Sequence, residues 1–221
     1  MAASLKPRAA ARRARERRIV DATRALFDER GMQDARIDRI ARRVGINKAL
    51  IYRHFSSKEE LFVLTVTRYL AEIEALLRDV DEDVADPQER LRRGMEAFAD
   101  YGIAHPAFLD CALSLLRQPA DDLQEQVSSA VWVRLGRAMA ACIGRLAGVL
   151  GELGVRDPDL MANEIYLQAI GILHLARSGV AVRRREAGAV EAFPVAPAQV
   201  RDACVAAALA YASSASSSSS S

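Results

Sequence analysis

Residues 36–58 read RIDRIARRVGINKALIYRHFSSK, and their spacing decides what kind of chain this is. Ile37, Ile40, Ala41 and Val44 recur at positions 0, 3, 4 and 7, which puts them on one face of a helix. Gly45 follows where a sharp turn needs a positive φ that most residues resist. Asn47 then offers a side-chain oxygen to the first backbone N–H groups of a new helix. In that helix Ile51 and Phe55 repeat at i, i+4 and pack inward, leaving Lys48, Ala49, Leu50, Tyr52, Arg53 and His54 to the other directions. Two short helices joined by such a turn form a helix-turn-helix unit, whose second helix fits a DNA major groove.

The flanking sequence extends the pattern. A first helix is expected over roughly 13–30, burying Ile19, Ala22, Leu26 and Phe27 and stopping at Gly31. Ser57 and Glu60 fit a capping box that opens a helix carrying Leu61, Leu64, Tyr69, Ile73 and Leu76 to about Arg78. An acidic stretch at 79–87 ends in Asp86-Pro87-Gln88-Glu89, a strong helix start, and that helix runs to about His105. Pro106 breaks it; helices are expected over 107–117, 121–152, from Asp157-Pro158 to about Arg177, and over 198–212, with 178–197 as a long connection. The tail SSASSSSSS at 213–221 has the composition of disorder. No sustained period-2 alternation occurs, so the expected fold is all α.

Net charge is only +2, but its distribution is uneven. Residues 1–60 hold 16 Lys and Arg against 8 Asp and Glu, leaving 15 against 21 for the rest. That asymmetry assigns a polyanionic partner to the N-terminal part alone. Within it, Lys6, Arg8, Arg12, Arg13, Arg15, Arg17 and Arg18 face a single acid, Glu16, and form a basic arm suited to phosphates or the minor groove. Cys111, Cys142 and Cys204 lie far apart without metal-ligand spacing, as expected of reduced, buried small hydrophobes. No apolar run reaches the ~18 residues of a membrane span. Nucleophile-base pairs, paired carboxylates and phosphate-binding glycine loops with usable spacing are missing, so no enzyme, cofactor or metal is expected.

The run from Arg15 to Leu61 resembles the DNA-binding domain of the TetR (tetracycline-repressor-like) family of bacterial transcriptional regulators. The resemblance rests on Phe27-Asp28-Glu29-Arg30-Gly31, Ile40-Ala41, Val44-Gly45-Ile46, and above all on Leu50-Ile51-Tyr52-Arg53-His54-Phe55 followed by Ser57-Lys58-Glu59-Glu60-Leu61. It implies that the helix from Asn47 to His54 enters the major groove. Lys48, Ala49 and Leu50 would then face base edges or nearby phosphates, Tyr52 a phosphate or thymine methyl, and His54 and Lys58 the backbone. Arg36 stands where the family often has a capping Thr or Ser; it can reach phosphate but cannot cap, which leaves Asp34 as the alternative. Ala49-Leu50 stands where the family often has Gly-Thr or Gly-Ser, so Leu50 either meets a thymine methyl or packs inward. The DNA contact set is thus Arg36, Asn47, Lys48, Ala49, Leu50, Tyr52, His54 and Lys58, with Arg13 and Arg17 from the arm.

The same resemblance implies an arm at 1–14, a DNA-binding domain at 15–75 with its helix-turn-helix at about 36–55, and an all-α effector-binding and dimerisation domain at 76–212. Two recognition helices about 34 Å apart on a duplex require a homodimer. The apolar last two helices offer Ile165, Ile172, Leu173, Cys204, Ala207, Ala208 and Tyr211 for its interface. Phe98, Tyr101, His105, Phe108, Trp132, Tyr166 and His174 are the candidates for lining an apolar effector pocket, although each also serves as ordinary core. The expected partners are a double-stranded operator, a small apolar effector and a second copy, in the cytoplasm and without a membrane. Repression is favoured because a dimer covering a promoter needs no contact with polymerase. An activator of the same fold, or a helical protein-interaction module with a structural helix-turn-helix, is the alternative.

Overall fold

A computed structural model describes residues 5–185 and 188–217, without side-chain placement for 5–9, 33 and 215–217. Ten α-helices, a short 3-10 helix (Met32–Asp34) and one small hairpin occur among the described residues: α1 (Leu5–Arg30), α2 (Ile37–Val44), α3 (Lys48–Tyr52), α4 (Lys58–Asp83), α5 (Pro87–Ala104), α6 (Pro106–Arg117), α7 (Ala120–Gln126), α8 (Ser129–Glu152), α9 (Pro158–Ser178), β1 (Val180–Arg184), β2 (Val190–Pro194) and α10 (Pro197–Ser217). They form two compact units, one built from 1–69 with 110–137 and the other from 70–109 with 138–221. The first unit thus draws on residues 110–137, well beyond the 15–75 expected of a DNA-binding domain.

Capping chemistry sets most of the boundaries. Asp86 accepts a hydrogen bond from the Glu89 N–H at 2.8 Å ahead of Pro87, and Asp157 does the same for the Leu160 N–H at 3.1 Å ahead of Pro158. The helix expected over 121–152 is broken: Val127 is extended (φ −128°, ψ 157°) and Ser128 starts α8, its carbonyl accepting from the N–H groups of Val131 and Trp132. A serine pair after a β-branched residue favours such a restart. Helix α1 begins at Leu5, so the described part of the basic arm is helical and continuous with the rest. At the other end α10 reaches Ser217, which makes 213–217 helical; 218–221 lie outside the described residues.

In the first unit Ile19, Ile40, Ile51, Phe55 and Leu61 are each at most 2% exposed, burial that contributes roughly 1.5–3 kcal/mol per side chain. Tyr69 closes this core from α4, its hydroxyl donating to Asp28 Oδ1 at 2.8 Å; burial and that carboxylate push its pKa up. In the second unit α5, α9 and α10 pack on one another through Met95, Phe98, Ile165, Leu173, Cys204 and Ala208, all buried. The α5–α9 approach is close at Gly102, where a Cβ would lie 2.9 Å from Leu173 Cδ1 and the leucine side chain would have to shift. All three cysteines are free and buried, and burial pushes the Cys142 and Cys204 thiols up to about 12 and about 11.

The segment expected to be a long connection is an antiparallel hairpin, with Val182 opposite Ala192 and Arg183 opposite Glu191. Arg183 and Arg185 both donate to Glu191, and the Arg183 guanidinium lies 5.0 Å from the Phe193 ring centroid. Cross-strand pairs of this kind hold short strands whose alternation is too brief to recognise in sequence. The other hairpin face carries Val180, Val182, Val190, Ala192 and Pro194, all exposed.

Candidate nucleic-acid interface

Helices of eight and five residues such as α2 and α3 are too short to persist alone, so their placement depends on caps and packing. Gly45 ends α2 in the left-handed region at φ 74°, and the next N–H, from Ile46, donates back to the Ala41 carbonyl at 3.0 Å. Two residues on, Asn47 Oδ1 accepts from the Leu50 N–H at 2.8 Å and opens α3. Ile51 and Phe55 anchor α3 from below. What remains outward is Asn47, Lys48, Ala49, Tyr52 and Arg53, with Leu50 half-buried. Tyr52 is 53% exposed, a large ring with no packing role to hold it there.

Charge pairing divides the basic residues of this unit into two sets. Arg43 makes a bidentate pair with Glu29 at 2.6 Å for each bond, Arg39 meets Asp34 at 3.2 Å, Arg68 meets Asp21 at 3.1 Å, and Arg12 meets Glu16 at 2.8 Å. These pairs brace α1 and its neighbours; the Arg43 hydrogen bonds hold the Glu29 carboxyl below its usual range. Arg13, Arg15, Arg17, Arg18, Arg36, Arg42, Arg53 and Lys58 are exposed and have no carboxylate partner among the described residues. Unneutralised cations around an exposed helix are what a phosphate backbone recruits. Arg42 and Arg53 were not in the sequence-derived contact set; only their lack of a carboxylate partner distinguishes them.

Three of the sequence-derived residues are engaged within the chain. His54 is turned inward, its side chain 8% exposed and its Nδ1 3.5 Å from Glu16 Oε1, so it braces the end of α3 against α1 rather than reaching for DNA. Asp34 does not cap α2: it is engaged with Arg39, and Arg36 occupies the cap position with no side-chain bond. Lys48 is exposed but paired with Asp38 of α2. Phosphates must compete with that carboxylate, so Asp38→Asn is expected to tighten DNA binding about two- to fivefold, the scale of an exposed pair. In a fluorescence-anisotropy titration the gain should vanish when Lys48→Ala is added.

The start of α4 is secured by a buried carboxylate. Glu60, 6% exposed, accepts hydrogen bonds from the N–H and the hydroxyl of Ser56 and from the Ser128 hydroxyl. Ser57 Oγ accepts from the Glu60 N–H at 2.9 Å and donates to the Gln126 carbonyl at 2.8 Å. Burial raises the Glu60 pKa, but the bonds from Ser128 and Ser56 outweigh it and hold the carboxyl below its usual range. The capping serine and glutamate thereby tie α4, and with it Lys58, to the α7–α8 junction.

The second unit contains a narrow cleft among α4, α5, α8 and α9. It holds about 710 Å³ of unfilled space counting its mouth, of which only about 60 Å³ is wide enough to seat the centre of a water molecule. Phe98 and Tyr166 line it, their ring centroids 6.1 Å apart. Tyr101, His105 and Phe108 instead stack together, with the Tyr101 hydroxyl donating to Glu72 at 2.9 Å. His174 is exposed on α9, and Trp132 is half-buried in the other unit. Of the dimer candidates, Ile165, Leu173, Cys204 and Ala208 are buried within the single chain, which makes them its own core; Ile172 and Ala207 are half-buried and Tyr211 is exposed. The apolar residues that do face outward on α9 are Leu160, Leu167 and Leu175. Strong hydropathy alone did not separate the inner from the outer face of so apolar a helix.

Comparison with known proteins adds an independent finding. Residues 19–64 match the family model described as bacterial regulatory proteins, tetR family. The transcriptional activator FasR of Mycolicibacterium smegmatis is 28% identical over 162 residues, covering 73% of this chain and 68% of its own. The transcriptional repressor NicS of Pseudomonas putida is 25% identical over 167 residues, covering 72% and 74%. Among solved structures, the regulator PfmR of Thermus thermophilus shares the fold with a TM-score of 0.56 at 24% identity, over 88% of this chain and 97% of that one.

Proposed function

We propose that the chain, whose residues 19–64 match the tetR-family model, is a DNA-binding transcriptional regulator of that family, a ligand-responsive repressor that reads an inverted-repeat operator as a homodimer and is released by a small apolar effector. The observation that carries the reading is the outward face of α3, rigidly capped and anchored yet left with an unsupported Tyr52 and ringed by unpaired cations. A purely structural helix-turn-helix would have no need to expose that ring. Activation needs a further contact with polymerase, whereas occlusion of a promoter needs only the bound dimer, and repression is therefore the simpler assignment. The protein acts in the cytoplasm, on the nucleoid when bound; among the described residues no helix is long and apolar enough to cross a membrane.

Selection of random duplexes by the purified protein is expected to enrich an inverted repeat with half-sites about one helical turn apart. Uniform weak binding without enrichment sinks the reading. Dimerisation is assigned to the exposed side of α9, where Leu160, Leu167 and Leu175 stand in solvent, together with small residues of α10. Leu167→Glu places a charge in that surface and is expected to convert the dimer to monomer by light scattering while leaving helicity intact. Operator affinity should fall with it, because each half-site is then read alone.

A further inference from the structure

The effector reading leaves the ligand's chemistry open, and the cleft constrains it. Its walls are apolar, formed by residues such as Leu70, Ile73, Leu91, Met95, Ile143 and Leu146. Its polar side chains include Asp81, Arg90, Arg145 and Tyr166; Arg145 is bound to Asp81, and two donors are left open. The Tyr166 hydroxyl has no hydrogen-bond partner among the described residues, and burial pushes its pKa up to about 12, so it is a neutral donor at physiological pH. Arg90 Nε is buried and likewise unpartnered. A buried donor without an acceptor, such as Arg90 Nε, is uncommon and invites an oxygen, and the Tyr166 hydroxyl, which is not fully buried, offers a second donor.

Charge decides what kind of oxygen. Arg90 also lines an adjoining recess with Glu74, Asp81, Arg145 and Glu152. There the Arg145 guanidinium is bound to Glu74 at 2.6 Å and to Asp81 at 2.8 Å, and Arg90 pairs with Glu152 through Nη2. Three carboxylates thus face two guanidiniums, and both guanidiniums are already neutralised. The cleft's own lining holds both guanidiniums and one carboxylate, Asp81, and each guanidinium is already paired, so an entering carboxylate would find no free cation while leaving water for an apolar wall. A neutral carbonyl or ether oxygen meets the open N–H and O–H groups without that cost. We propose, resting on the effector reading above, that the cleft binds a slender uncharged apolar molecule carrying an acceptor oxygen, with the Tyr166 hydroxyl and Arg90 Nε as its hydrogen-bond donors. The narrowness of the slot selects an unbranched chain or a flat ring.

The test is calorimetric titration of the full chain with octan-2-one, octanoate and octane. The ketone is expected to bind at least tenfold more tightly than either of the others. Tyr166→Phe, which keeps the ring and removes the donor, should bring the ketone to within about threefold of the alkane without changing alkane affinity. Ala169→Phe, which fills the slot, should abolish binding of both, with an unchanged melting profile showing that the unit still folds. Tightest binding by octanoate overturns the ligand class while leaving the cleft as effector site. Absence of binding by all three, or binding indifferent to Ala169→Phe, overturns the cleft itself and the effector reading with it.

Discussion

Tyr52→Ala is expected to weaken operator binding about 10- to 100-fold while leaving the melting temperature nearly unchanged. The side chain is 53% exposed at the end of α3, with Ile51 beside it supplying the anchor. Surface truncations that touch no cap or core group change stability by about 0.5 kcal/mol or less, so any large effect must come from lost DNA contact. One good contact to a base is worth about 1–3 kcal/mol, and a tenfold change is about 1.4 kcal/mol. Tyr52→Phe separates the two possible contacts. If the hydroxyl donates to a phosphate, Phe behaves like Ala; if the ring meets a thymine methyl, Phe behaves like the native residue and the loss in Ala is confined to operators with thymine there. Salt dependence supplies a second axis: Tyr52→Ala removes no charge and should leave the slope of log K against log salt unaltered. Lys58→Ala should reduce that slope by about 0.9. Equal operator affinity in wild type and Tyr52→Ala would mean that α3 is not the reading element.

The helix-turn-helix was legible because every signal in it is local. Gly45, the Asn47 cap and the i, i+4 spacing of Ile51 and Phe55 each act within a few residues, and the structure realises each one. The same holds for Asp86-Pro87 and Asp157-Pro158. What sequence could not supply were partnerships across long separations. Whether a cation is free depends on a carboxylate elsewhere in the chain: Arg43 finds Glu29 fourteen residues away, while Arg42 beside it finds none among the described residues. His54 is silenced by Glu16, thirty-eight residues away. In the second unit the aromatic residues that looked like ligand contacts divide between the cleft and a packed cluster, since stacking and lining demand the same chemistry. The hairpin was missed for a related reason: its stability comes from the Glu191 pairing across strands, not from alternation along either one.

Glu60 is where a local cap becomes a long-range tie, and its loss should carry the largest stability cost of any polar substitution in the first unit. Its carboxylate is the acceptor for three donors, two from Ser56 and one from Ser128. Glu60→Ala leaves those donors facing a buried gap, and an unsatisfied buried group costs about 1–3 kcal/mol. Because the serine hydroxyls can rotate toward other acceptors, a total near 3 kcal/mol is expected. For a chain of this length that corresponds to a melting-temperature drop of roughly 6–12 °C. Glu60→Gln keeps one acceptor oxygen and should lose less. The charge itself is tested by pH. The native carboxyl is held below its ordinary value of 4.5, so its stabilising contribution is complete above that value and is lost as pH falls through the native one. The wild-type advantage over Glu60→Gln should therefore be full at pH 7 and shrink only as pH falls below 4.5. A difference in melting temperature that stayed constant across that range would show that Glu60 contributes shape alone. Operator affinity near the melting range should follow the same order, wild type above Gln above Ala, if Lys58 and the end of α3 contact DNA as proposed, because the start of α4 is held by its tie to Ser128.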